Sequence, residues 1–201
     1  VLEAKKKGAR LVVIDPLRSR TAEQADWHVR PRPGTDAALA LGMMHVIVRD
    51  SLHDADYVER YTLGFDRLKP RLAEYPPERV ARITGLAASE IEDLARTYAT
   101  TRPAAIRTLI GMEHHANGAM AFRTIACLPA LTGAWRERGG GLLHLTFNLF
   151  DGVLNRPDFD EPSGRQVGGR MGTVGRPIPG VQAKVIHRET GADLPVGEAG
   201  L

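Results

Sequence analysis

Asp15 stands at the end of the apolar run Leu11 to Ile14 and directly before Pro16. A carboxylate delivered there, where a buried strand gives way to a loop, can accept two hydrogen bonds at once. A guanine ring offers N1–H and an amino group, and a ribose offers a diol. The same carboxylate can equally cap its own turn, a frequent use of Asp before Pro. Arg18 and Arg20 follow in the same loop. A guanidinium fork matches the oxygens of a diphosphate, although exposed arginines are also common as solvated residues. The turn Pro33-Gly34-Thr35-Asp36 is the second candidate. Gly34 lets a ligand approach the backbone, and a helix starting behind it favours anions and acceptors. Asp36 there either caps the helix or addresses the ligand. The third candidate is the loop Gly111 to Gly118, which carries Glu113, His114, His115 and Asn117. Adjacent histidines point in different directions and no metal-ligand spacing is present. The loop is therefore either a source of hydrogen bonds to a bound cofactor or a plain connection, and no metal site is expected.

Other chemistries find no footing. The phosphate-loop pattern GxxxxGK and the pattern GxGxxG are absent, and Gly139-Gly140-Gly141 lacks the strand–turn–helix context of a dinucleotide fingerprint. Ser51, Ser89 and Ser163 have no convincing base, and nothing resembles a nucleophile elbow. No catalytic residue is named.

The elements that must position these residues follow from periodicity. Leu11–Ile14 reads as a strand, Trp27–Arg30 as a short extended piece, and Asp36–Arg49 as a helix apolar nearly all round and therefore buried. Thr35 or Asp36 is its natural N-cap, and His45 within it reads as a packed histidine. Residues 54–101 read as a helical insertion in short pieces. One opens on Asp54, one (65–75) is broken or bent near Pro70, one (76–85) ends at Gly85, and one takes Ser89 as cap. Residues 104–111 read as a strand, 119–135 as an apolar helix, and the stretch after Gly139-Gly140-Gly141 as another apolar segment. Alternating strand and helix predicts parallel strands. From Asp151 the texture turns to Gly and Pro without helical period, then to strand and turns, one of them at Thr190-Gly191. The expected fold class is α/β, a Rossmann-like parallel-sheet fragment with a helical insertion, followed by a short antiparallel β segment. The expected domains are residues 1–150 and 151–201.

Composition sets outer bounds. The 201 residues carry a formal charge of +3, with acids scattered among the bases and no basic stripe with interleaved aromatics, so nucleic acid is not an expected partner. No apolar run reaches membrane-span length and no signal-peptide pattern opens the chain. The single cysteine, Cys127, excludes an intramolecular disulfide framework and reads as a small buried hydrophobe. Cytoplasm is the default compartment, with periplasm open for a complete protein. The first residues read as a helix end and a Gly8 break before a strand, as though the chain began inside a βα unit.

With these residues in view, a family resemblance emerges. Ile14-Asp15-Pro16 through Thr21 to Asp26, followed by Pro33-Gly34-Thr35-Asp36-Ala37-Ala38-Leu39, resembles the bis-molybdopterin guanine dinucleotide oxidoreductases. That group contains formate dehydrogenases, nitrate reductases and dimethyl sulfoxide reductase. The stretch from Gly111 to Gly141, a loop, an apolar helix and a glycine-rich exit, resembles it too, and the resemblance runs from Val1 to about Leu145. It implies a Rossmann-like portion holding the guanosine arm of a pterin cofactor. Asp15, Thr35 and Asp36 would address guanine and ribose. Arg18, Thr21, Pro33 and Gly34 would lie beside the diphosphate, and Gly111, His114, Asn117 and Gly118 would face the pterin. Met112-Glu113-His114 departs from the family's usual Gln-Arg-His or Gln-His. The implied chemistry is two-electron transfer at molybdenum or tungsten, with electrons leaving through an iron–sulfur cluster and, in a complete protein, electron-transfer subunits. No cysteine cluster and no ligand of the metal can be matched here, so whether this chain is itself an enzyme stays open.

The tail carries a different resemblance. Residues 157–201, with GTVGRPIPGV and then ETGADLPVGEAGL, resemble adenylate-forming acyl-CoA and acyl-carrier-protein ligases, without that family's Tyr-Gly-x-Thr-Glu motif or catalytic lysine. Two families meeting in mid-domain would imply a chimeric reading frame joined at residues 145–160. The expected function is thus a cofactor-gripping part of a molybdopterin oxidoreductase, inactive alone. A ligase fragment and a non-catalytic interaction module are the alternatives.

Overall fold

The computed structural model describes residues 2–144 together with Thr190, which lies in a turn. The rest of the expected β segment and the expected join lie outside the described residues. The chain enters through helix α1 (Leu2–Lys6), breaks at Gly8 in the left-handed region, and continues as strand β1 (Val12–Ile14). A 3-10 turn (Ala22–Gln24) leads to strand β2 (Trp27–Val29) and helix α2 (Asp36–Arg49). Four helices follow: α3 (Ala55–Tyr61), α4 (Phe65–Leu72), α5 (Pro77–Thr84) and α6 (Ala88–Thr100). Strand β3 (Ala105–Thr108), a 3-10 turn (Ile110–His114), helix α7 (Gly118–Thr132), another 3-10 turn (Ala134–Arg136) and strand β4 (Gly141–His144) complete the described chain.

The strands pair as expected of βα units. β1 lies parallel to β2, with Ile14 beside Val29, and β3 lies parallel to β4, with Thr108 beside His144. These are two separate two-stranded sheets among the described residues. A mixed α/β fold with a helical insertion between its strand pairs is therefore what the sequence expectation named.

Helix α2 is the centre. Its residues Met44, Val46 and Ile47 are fully buried, and Leu39, Ala40 and Met43 nearly so. A helix apolar on every side must be covered on every side, and α4, α5, α6 and α7 all pack on it. Gly42 sets how near α5 can come: a Cβ added there would stand 2.9 Å from Cγ2 of Val80. His45 Nδ1–H donates to the carbonyl of Leu72, 2.8 Å away, as a packed histidine does.

Two local expectations are corrected. Of the break or bend expected near Pro70, the break does not occur, and α4 runs through the proline. The proline forfeits one backbone bond, yet the helix runs on to Leu72, whose side chain is sealed in the core. Ser89 does not cap α6, which begins at Ala88 with Ala87 extended before it. Its entry is set upstream, where buried Leu86 donates its N–H to the Thr84 hydroxyl at 3.3 Å. Asp54, by contrast, caps α3 as expected, accepting from Tyr57 N–H at 2.9 Å.

The far end of α2 is tied to α6 by ions. Arg49 holds Asp50 at 2.7 Å and Glu92 at 2.8 Å, and Arg96 holds Asp50 at 2.9 Å. The hydrogen bond from Arg49 holds both carboxyls below their ordinary range, with Arg96 adding to the effect. A carboxyl depressed on folding contributes stability that is fully present above its unfolded value, near pH 4, and is lost as pH falls through the folded value.

Two predictions follow from this packing. Ile47→Ala should lower the unfolding free energy by about 3 kcal/mol in urea denaturation, since it opens a cavity at a fully buried site. The double variant Asp50→Asn, Glu92→Gln should flatten the loss of stability below about pH 4 seen in the parent chain.

Candidate functional site

The parallel pairing of β1 and β2 puts both carboxyl ends on one edge, and the candidate residues follow directly from them. At Asp15 the backbone N–H donates to Val29 at 3.1 Å and the carbonyl meets His28 Nε2 at 2.9 Å. Its carboxylate accepts from Leu17 N–H at 2.8 Å, so one oxygen serves the turn before Pro16 as an Asx cap. Arg30 Nε donates to the Pro16 carbonyl at 3.4 Å. Arg18 and Thr21 lie exposed on the loop after β1, and neither side chain has a hydrogen-bond or ion-pair partner among the described residues. Arg20 is likewise exposed and unpaired there.

The turn into α2 is built from Arg32. Its N–H donates to Thr84 at 2.7 Å, and its guanidinium donates to the Arg82 carbonyl at 2.8 Å. A cation on the last carbonyls of α5 is favourable, and it fastens the helical insertion to the residues just before Pro33. Gly34 then takes φ of +76°, a conformation that disfavours any side chain. Thr35 occupies the N-cap position, but its hydroxyl donates back to the Arg32 carbonyl at 2.6 Å and caps nothing. Asp36 is the first residue of α2 and half-buried, and its carboxylate has no hydrogen-bond or ion-pair partner among the described residues. Of the two acids the sequence named, Asp36 is thus the one left wholly free, whereas Asp15 is half committed.

The loop after β3 reaches the same place. A Cβ built on Gly34 would stand 3.1 Å from Nδ1 of His115, so the imidazole lies against the Pro33-Gly34 turn. His115 was not among the residues the sequence singled out as contacts, because no spacing rule links residues so far apart in the chain. The loop closes on itself through Gly118, whose N–H donates to the His115 carbonyl at 2.9 Å. Gly118 is buried, and a Cβ there would sit 2.6 Å from the Glu113 backbone. Its glycine is a demand of loop closure. Gly111 has open space around it. His114 is exposed and its side chain has no partner among the described residues. Asn117 holds the N-cap position of α7 without a side-chain cap bond.

The result is that two long helices, α2 and α7, start side by side with no side chain capping either. Each leaves unsatisfied N–H groups and the positive end of its dipole at this edge. Among the described residues no cluster of three or more His, Cys, Asp or Glu could hold a metal ion. Cys127 hydrogen-bonds to the Arg123 carbonyl at 3.4 Å, and burial pushes its thiol up, which suits a packed residue better than a reactive one.

Parallel strand pairs here deliver loops and open helix starts to one edge, the place where α/β folds commonly take ligands. A sequence model of the family described as molybdopterin oxidoreductase matches residues 1–189, and the chain belongs to that family. It is 44% identical over 159 residues to the probable oxidoreductase YoaE of Bacillus subtilis, covering 78% of this chain and 23% of that one. It is 38% identical over 133 residues to formate dehydrogenase H of Escherichia coli, covering 66% of this chain and 19% of that one. Its fold is similar to the solved acetylene hydratase from Pelobacter acetylenicus, with a TM-score of 0.64 and 42% identity over 66% of this chain and 18% of that one. The chain therefore spans about a fifth of the length of these relatives. The family match continues across residues 145–160, where a join was expected. The resemblance of the tail to acyl ligases finds no support in these comparisons.

Among the described residues no helix is long and apolar enough to cross a membrane.

The two site glycines separate in a simple test. Gly118→Ala should cost about 1–3 kcal/mol in urea denaturation because backbone must move to admit the methyl. Gly111→Ala should stay within about 0.5 kcal/mol of the parent.

Proposed function

We propose that this chain grips the guanosine arm of a molybdopterin guanine dinucleotide in a molybdenum or tungsten oxidoreductase. The observation that carries the reading is the meeting of two uncapped helix starts at Gly34 and His115, with the unpartnered Asp36 carboxylate on one of them. Open N–H groups and dipole ends suit a diphosphate. A free carboxylate suits the N1–H and amino pair of guanine, an edge that adenine does not offer.

The residues present fit the group. Asp36, with Thr35 and the remaining oxygen of Asp15, would hold guanine and ribose. Arg18, Thr21 and the backbone at Pro33 and Gly34 would hold the diphosphate, with unpaired guanidinium and hydroxyl groups at hand. Gly111, His114, Asn117 and Gly118 frame the loop that would face the pterin. His114 and Asn117 would serve as donors there, and Gly118 would act by keeping the loop closed. When bound, the cofactor supplies two-electron transfer at its metal. The side chains described here bind and orient it. In the assembled protein, an iron–sulfur cluster and electron-transfer subunits would carry the electrons onward, in a cytoplasmic or periplasmic enzyme. Relatives include the alpha subunit of an F420-dependent formate dehydrogenase, a name that itself implies further subunits.

The guanine assignment is tested by titrating the chain with GMP, GDP and AMP. GMP and GDP should bind in preference to AMP, and Asp36→Ala should weaken GMP by at least tenfold, the loss expected when charge-assisted hydrogen bonds go. Binding that ignores the base, or that is equal in parent and variant, would sink the assignment.

A further inference from the structure

His144 ends β4 directly beside Thr108, its register partner at the end of β3. The imidazole is used at both nitrogens. Nε2 meets Oε1 of Glu113 at 2.7 Å, and Nδ1 meets the Thr108 hydroxyl at 3.0 Å. The Phe122 ring of α7 packs edge-on against it, with centroids 4.7 Å apart. Three elements thus converge on one histidine: the strand pair, the start of the 111–118 loop, and the helix that follows the loop.

The chemistry of this chain of groups is specific. A carboxylate only accepts, so Nε2 must carry a proton. Neutral His144 then presents Nδ1 as an acceptor, and the Thr108 hydroxyl donates to it. If the ring gains a second proton, the hydroxyl turns and accepts instead. The linkage survives in either state. Thr108 is buried while His144 is 20% and Glu113 36% exposed, so the pair sits between surface and core. That depth favours a defined geometry over a fluctuating surface ion pair.

Elsewhere in the loop the His115 carbonyl accepts from Gly118 N–H, the Asn117 carbonyl accepts from Ala121 N–H, the Glu113 backbone lies against Gly118, and the His115 imidazole lies against Gly34. Glu113 and His115 therefore pin the two sides of His114, whose side chain is left without a partner among the described residues.

We propose that Glu113 and His144, steadied by Thr108, form a clasp that positions the 111–118 loop for its cofactor. All three are positioning residues. The proposal rests on the reading of this loop as cofactor-facing given above.

The test uses the 201-residue chain, with hydrogen exchange read by mass spectrometry and weak binding of neopterin read by ligand-observed NMR. Glu113→Ala and His144→Phe should each speed exchange across residues 109–118 by at least tenfold, with exchange in α2 unchanged, and the double variant should add nothing further. Glu113→Gln, whose amide oxygen still accepts from Nε2–H, should restore parental exchange. Neopterin binding should fall in the first two variants and hold in Glu113→Gln. Unaltered exchange in Glu113→Ala, or a glutamine variant as loose as the alanine one, would overturn the clasp. The expected exchange pattern without neopterin binding to the parent chain would overturn the cofactor-facing reading and leave the clasp standing.

Discussion

Everything described here depends on covering helix α2. Its sequence, Asp36 to Arg49, offers apolar side chains around its whole circumference, and water is an unfavourable neighbour for each of them. α5 and α6 close one part of that surface, α7 another, and α4 a smaller part. The helical insertion between the strand pairs is therefore a structural necessity of this helix. Gly42 shows how tight the cover is, since a single methyl group there would press on Val80. The ion pairs of Arg49 and Arg96 then fix the exposed end of the bundle, where apolar burial has run out.

Burying α2 against α7 has a consequence at the opposite end. Both helices follow parallel strands, so both begin at a strand's carboxyl edge. Packing them together brings their first turns together, and Gly34 meets His115. Polar N–H groups that would otherwise need capping are left open at a shared edge. Arg32 contributes from the side by tying the approach to Gly34 onto the end of α5. The candidate site is thus a by-product of core packing, with the candidate binding groups carried on the loops that the core leaves outside.

Much of this was legible in residue types. The bounds of α2, the Asp54 cap, the Gly85 stop and the parallel strands all rest on local periodicity or on backbone chemistry that one or two residues decide. The misreadings share a cause. At Pro70 and Ser89, a local preference was outweighed by a buried neighbour, Leu72 in one case and Leu86 in the other. Nothing in the sequence assigns His115 or Glu113 a contact of its own, because their partners Gly34 and His144 are remote in sequence. The tail's apparent kinship with acyl ligases shows the converse hazard, a short Gly- and Pro-rich pattern that lacked the motif to anchor it.

By itself the sequence determined which residues have chemistry to offer: two acids at strand and helix ends, arginines in the loop between them, and a glycine-bounded loop with histidines. It determined the elements too, because hydrophobic period and turn residues act over a few positions. Only the tertiary structure decided how those groups are spent. It committed half of Asp15 to its own turn and left Asp36 without a partner among the described residues. It turned Thr35 away from capping, made Gly118 a requirement of loop closure, and gave Glu113 to His144. Hydrogen bonds and close contacts are short-ranged, so their partners are fixed only when packing has brought distant segments within a few ångströms.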